Sequence, residues 1–200
     1  MRYLLLGAFM ALGLVQGAGA HPLNGCGGGP ALGHMQGSAT VRQGGQQLND
    51  AGANTILVGL YGSCARVASN GGFLALDVFG FATPEPHDST IAVLEGFRYR
   101  LSYDGMAGLH ARLGWTVRDD AALYVLLGAA ASNVTYSLPE GSTSRWHWAP
   151  QIGVGGELYL GSRWSLRGDF VFDRTRFDVG ATEVEWQVRW RTSAALIRRF

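Results

Sequence analysis

The chain has no lysine: all 16 of its basic residues are arginine, set against 15 acids, for a formal net charge of +1. No basic field gathers on it, which argues against nucleic acid as a partner. Charge of either sign is scarce, since only 16% of residues are charged, against roughly 25% in an ordinary soluble domain. Beyond residue 20 no apolar run approaches the roughly 18 residues of a membrane-spanning helix, because the longest, Ala121 to Ala131, is short and holds a glycine. Cysteine is limited to Cys26 and Cys64. Two thiols do not make a disulfide scaffold, and with Cys26 in a glycine-rich lead and Cys64 in a strand the sequence leaves their pairing open. No second His or Cys stands at ligand spacing from His110, so no metal site is expected, and no cofactor motif is present. Glycine, by contrast, is abundant at 30 residues.

The first twenty residues read as a signal peptide, residues 1–20: Arg2, an apolar stretch from Leu4 to Val15, then Ala18-Gly19-Ala20 as a small-x-small cleavage site. The mature unit is then 21–200. Leu23-Asn24-Gly25-Cys26 is only a loose lipoprotein box, too far beyond the apolar core to serve as one.

Export without a spanning helix leaves a soluble secreted fold or a transmembrane β-barrel, and periodicity separates them. Between Glu183 and Leu196, one face reads Glu183, Glu185, Gln187, Arg189, Arg191, Ser193 and the other Val184, Trp186, Val188, Trp190, Thr192, Ala194, Leu196. Period 2 held that long exceeds the roughly 5–6 residues of a soluble strand. The segments around Leu109 to Val117, Gln151 to Leu160 and Trp164 to Asp173 repeat it, each with its charges on one face. A soluble sandwich would also alternate, with the charged face in water. Long strands, aromatics near segment ends and glycines on the polar face fit lipid outside and a crowded lumen inside.

Short breaks at Ser69-Asn70-Gly71, Arg118-Asp119-Asp120 and Gly161-Ser162-Arg163 alternate with longer polar stretches at 44–54, 83–104, 137–146 and 178–182. Asn70-Gly71 suits a type I′ hairpin turn. Three turns and four loops, with both termini on the periplasmic side, require eight strands. They are placed at 33–43, 55–67, 72–82, 106–117, 121–136, 147–160, 164–177 and 183–200. Residues 91–103 also alternate, and are read as an upper extension of the fourth strand, bulged at Asp104-Gly105. The alternative drops 33–43 and makes 91–103 a spanning strand. The fold expected is all-β: an eight-stranded antiparallel transmembrane β-barrel with short periplasmic turns and longer external loops.

The runs GLYGSCARVASNGGFLALDVFGF, GLHARLGWTVRDDAALYVLLGAA and GVGGELYLGSRWSLRGDFVF, with the terminal Phe200, resemble the strand-turn-strand blocks of the OmpA-like eight-stranded outer-membrane barrels, the OmpA/Opa/OmpX type. The resemblance covers nearly all the mature chain, and it implies a filled interior and insertion by the outer-membrane assembly machinery, which reads a C-terminal strand ending in an aromatic residue. Phe200 would be that assembly signal, with Arg198 departing from the usual apolar residue. Lipid and lipopolysaccharide of the outer membrane would be its surroundings.

Facing follows from cost, since an Arg turned to lipid near mid-membrane costs about 2–4 kcal/mol. Arg112, Glu157, Arg167, Asp169 and Arg189, with His110, are therefore expected inside the lumen, the acids Glu157 and Asp169 pairing with Arg167, Arg189 or Arg112. That is a structural plug with no catalytic residue. His87-Asp88-Ser89 has hydrolase residue types, but three adjacent residues rarely make a relay. Asn133-Val134-Thr135 matches a glycosylation acceptor, which says little in a membrane strand. The reading is a non-enzymatic outer-membrane barrel with a structural or surface-interaction, adhesin-like role, its loops open to an external ligand. The alternatives are a lipid-modifying enzyme of the lipid A acyltransferase or deacylase type, and a narrow solute pore; eight strands argue against the pore.

Overall fold

The structure is a computed structural model describing residues 21–43, 46–84, 88–94, 97–138, 141–179 and 182–200. The expected signal peptide lies outside the described residues. Among the described residues nine strands follow one another: β1 Gly25–Gln43, β2 Gln46–Val67, β3 Gly72–Ala82, β4 Asp88–Leu94, β5 Phe97–Arg118, β6 Ala121–Leu138, β7 Gly141–Tyr159, β8 Trp164–Val179 and β9 Thr182–Arg199. All pairings are antiparallel. Eight strands close on themselves, because β3 pairs with β5 and β1 with β9, leaving β4 as an addition to the free edge of β5. Closure removes every edge within the barrel wall, the condition for placing a sheet in lipid.

Alternation sets the two faces. Leu109, Leu113, Trp115, Leu123, Val125, Leu127, Ile152 and Val154 are all more than half exposed on the outer wall, while His110, Arg112, Tyr124, Leu126, Gln151 and Glu157 between them are buried. An outward belt of aliphatic side chains with charges turned inward is the pattern of a transmembrane barrel. The lumen is not uniformly polar, however. Met35, Leu57, Phe79 and Phe81 from β1 to β3 are buried there too, so one side of the interior is aromatic and apolar. Leu23, fully buried, enters the mouth at the short-turn end and packs among Ala65, Phe73, Tyr124 and Tyr159. Asn24 holds it in place by accepting the Val67 backbone N–H at 2.7 Å.

The turns are short, as expected, but the first differs in type. Gly71 adopts φ +82°, and the bonds Ala68 N–H to Gly72 carbonyl (2.7 Å) and Gly71 N–H to Ala68 carbonyl (3.0 Å) enclose three residues. This is a three-residue hairpin in which only the last position needs a left-handed backbone, so it replaces the type I′ turn. Between β5 and β6 the turn is two residues, Asp119 and Asp120, flanked by Arg118 paired with Ala121.

Three departures from the sequence reading concern strand limits. The first strand begins at Gly25 rather than 33, since Gly25 to Gly29 pair with β2 and Gly27 and Gly28 with β9. A Cβ at Gly29 would collide with the Leu196 carbonyl, so the glycines that looked like a flexible lead permit the close approach of β1 to β9. In the polar stretches 44–54, 137–146 and 178–182 every described residue is strand, because paired backbone continues where the apolar alternation stops. Lastly, the extension of β5 above the barrel is present from Phe97, with its register shift between Tyr103 and Gly105 as expected, but 91–94 belongs to a separate strand, β4, paired back onto it.

Candidate functional site

Two regions carry polar chemistry: the lumen and the strand arms beyond the barrel. In the lumen the residues singled out from the sequence are all buried, with exposures of 1% for His110, 0% for Arg112, 2% for Glu157, 1% for Arg167, 5% for Asp169 and 3% for Arg189. Strand register brings the six into two clusters.

The first cluster is a chain of alternating charge. Arg199 Nη2 meets Glu157 Oε1 at 2.6 Å, Glu157 Oε2 meets Arg112 Nη1 at 2.9 Å, and Arg112 Nε meets Asp77 Oδ2 at 2.8 Å. The same Asp77 oxygen lies 2.8 Å from Arg167 Nη1, and Arg167 Nε lies 2.9 Å from Asp169 Oδ2. Three arginines thus alternate with three carboxylates, formally neutral as a set. Hydroxyls complete it: Ser165 donates to Glu157 (2.6 Å), Tyr124 to Asp169 (2.6 Å), and Arg112 donates to Ser63 (2.8 Å). The guanidinium faces rest on rings, Arg112 over Tyr124 at 4.7 Å and Arg167 over Tyr61 at 4.5 Å, which desolvated cations favour.

Both acids pair within the expected set, Asp169 with Arg167 and Glu157 with Arg112, and the one option not taken is Glu157 with Arg167. The two are cross-strand partners in register, yet Glu157 is taken by Arg112 of β5 and Arg199 of β9, each two strands away, and Arg167 turns instead to Asp77 and Asp169. Sequence reasoning missed Asp77 and Arg199, both inward. Asp77 sits in the apolar run of β3, and its signal was its place on the same face as Ala75 and Phe79.

The second cluster stands nearer the arms. Arg189 pairs with Asp173 at 2.6 Å and donates to Ser132 at 3.0 Å; Gln151 donates to Asp173 at 2.8 Å. Because the Gln151 amide nitrogen is so engaged, its oxygen is left to accept from the His110 Nε2–H (2.8 Å). His110 also lies against Phe79, ring centres 4.5 Å apart. Arg191 packs differently, between the rings of Phe79 (4.7 Å) and Phe81 (4.8 Å) with Tyr61 beside it. Among the described residues no group of three His, Cys, Asp or Glu is arranged to hold a metal.

Cys26 and Cys64 face each other in the β1–β2 ladder and are joined as a disulfide, with Cα atoms 4.0 Å apart. This resolves the open question in favour of pairing, and places the link beside the seam where the Phe200 N–H bonds the Cys26 carbonyl at 2.9 Å. Phe200 itself is 79% exposed, and Arg198 points outward over Trp164. At the mouth of the same end, before β1 begins, His21 meets Tyr159 edge-on at 5.3 Å, and burial holds its imidazole below the usual range, with Asp119 opposing.

At the opposite end the barrel divides. The last rungs closing it are Gln151 with Asp173 and Val58 with Ala82. Beyond them β8, β9, β1 and β2 continue as one sheet and β4, β5, β6 and β7 as another. His87 lies outside the described residues, as do the side chains of Asp88 and Ser89, so that triplet gains no geometry.

No protein-family model matches the chain, and no curated protein matches it. Among solved structures it is similar to Neisserial surface protein A (11% identity, TM-score 0.49, covering 87% of this chain and 99% of that one). It is also similar to Ail, the attachment invasion locus protein of Yersinia pestis (12%, 0.42, 86% and 97%), and to the N-terminal β-barrel domain of Pseudomonas aeruginosa OprF (13%, 0.45, 86% and 99%). The fold stands on the strand pairing above: the chain is an eight-stranded antiparallel barrel of the outer-membrane type, the architecture its resemblance to the OmpA-like barrels implies.

Proposed function

We propose that the mature protein, residues 21–200, resides in an outer membrane as a non-enzymatic barrel whose strand arms contact an external ligand, while the lumen network plugs and rigidifies the wall. The observation that carries this reading is the length of the arms. β2 runs from Gln46 to Val67, but its pairing to β3 ends at Val58. The part beyond amounts to about 40 Å of strand at about 3.4 Å per residue. A crossing strand needs only about 9–11 residues, so two four-stranded sheets are built and paired outside the bilayer for some other purpose. The lumen supports a plug: its carboxylates Asp77, Glu157, Asp169 and Asp173 are each paired with arginine, Arg191 is held between the Phe79 and Phe81 rings, and among the described residues no cleft exposes a nucleophile and a base together. Phe200, exposed at the end of β9, fits the role of the assembly signal.

The test is replacement of the β1–β2 arm, residues 41–50, by a tight turn, followed by measurement of cell attachment to coated surfaces and mass analysis of lipid A. The barrel should still insert and attachment should fall. Attachment equal to wild type, or a lipid A mass altered by the intact protein, overturns the proposal.

A further inference from the structure

The outer wall carries a furrow at the short-turn end that the plug and the arms do not use, with a volume of about 1200 Å³. Its upper edge is a single row across the sheet: Arg66 pairs with Leu74, Leu74 with Leu113, Leu113 with Val125, and Val125 with Val154. The lower edge carries Trp115, 63% exposed, which pairs with Gly72 on one side and Leu123 on the other. Because barrel strands tilt, such a row does not stay level. Arg66 stands one residue from the end of β2, whereas Val154 stands five residues from the end of β7. The furrow therefore climbs about 13 Å of strand length, from the rim into the apolar belt.

Arg66 is exposed, and among the described residues it has no ion pair, hydrogen bond or ring contact. On the same rim Arg118 is paired with Asp120 at 3.1 Å and Arg198 covers Trp164, while Arg163 stands in the turn between β7 and β8, away from the furrow. A free guanidinium at the rim, above an oblique apolar channel that leads away from it toward mid-membrane, matches the layout of a phospholipid with its phosphate outside and one acyl chain inside. The guanidinium fork suits a phosphate.

From this geometry we infer a phospholipid site, selective for an anionic headgroup, with the phosphate on Arg66 and an acyl chain along the furrow between Leu113 and Trp115. The inference rests on the chain spanning a bilayer, so insertion is measured separately by the mobility shift of unboiled protein in gels.

The experiment folds the mature chain into phosphatidylcholine vesicles and compares spin-labelled phosphatidylglycerol with spin-labelled phosphatidylcholine by electron spin resonance. The wild type should hold the anionic label about fivefold more strongly, the effect of one arginine near the headgroups. Arg66→Gln should bring that ratio close to one. Arg198→Gln, which removes the same charge from the rim away from the furrow, should leave it unchanged. Leu113→Trp, which fills the furrow and keeps Arg66, should lower it as well. Equal association of both labels with the wild type, an unchanged ratio in Arg66→Gln or in Leu113→Trp, or an equal fall in Arg198→Gln overturns the inference. In each case a normal gel shift shows that the barrel itself has inserted.

Discussion

Removing the Arg167 guanidinium tests facing, fold and plug together. In Arg167→Met the aliphatic stem is kept and the charge deleted, which leaves Asp169 with only the Tyr124 hydroxyl at 2.6 Å and deprives Asp77 of one of its two arginines. Both side chains stay at 1% exposure or less, so water cannot replace the lost partner. Breaking a buried pair from one side costs about 3–5 kcal/mol. For an m-value of about 2 kcal/mol/M, that moves the urea midpoint of the folded barrel in vesicles down by about 2 M. Adding Asp169→Asn removes the orphaned charge and leaves Arg199, Glu157, Arg112 and Asp77 as a balanced set. The double variant should therefore recover much of the loss, with a coupling well above the roughly 0.5 kcal/mol scatter of independent sites. Glu157→Gln supplies the contrast. Since Glu157 belongs to Arg112 and Arg199, its combination with Arg167→Met should show much weaker coupling than Asp169→Asn does. Additivity of Arg167→Met with Asp169→Asn would refute the assigned pairing and the inward facing of β8.

Gly155→Ala should destabilise the barrel by about 1–3 kcal/mol as an overpacked interior does, because the new Cβ would lie 2.5 Å from Tyr124 Cε2 and 2.6 Å from its hydroxyl; an unchanged urea midpoint would refute that packing. Reduction of the Cys26–Cys64 link, or Cys26→Ser with Cys64→Ser, should lower stability by up to about 4 kcal/mol from the closed loop of 38 residues. Unboiled gels with and without reductant, read beside thiol labelling, check this, and labelling of the unreduced protein would count against the link. Deleting Phe200 should lower the amount of assembled barrel in outer-membrane fractions, and undiminished levels would remove its role as a signal.

Period-2 alternation sufficed to assign the two faces, because lipid on one side penalises each misplaced charge by about 2–4 kcal/mol, so that a few together match a domain's whole stability. Arg112, Glu157, Arg167, Asp169 and Arg189 could be turned inward from that argument alone, and the short turns and strand number followed from composition and closure. Where the penalty ends, so did legibility. Past the apolar belt both faces of a strand can be polar, so the continued pairing of 46–54, 137–138 and 141–146 left no pattern and read as loop. The glycines of β1 looked like a flexible lead because their reason, the nearness of the Leu196 carbonyl to Gly29, lies on a strand at the other end of the chain. Partner choice was beyond the sequence for the same cause. Alternation says that Glu157 and Arg167 enter the lumen, but only the curvature of the closed wall, which brings Asp77 from β3 within reach of β5 and β8, decides which charge each one meets.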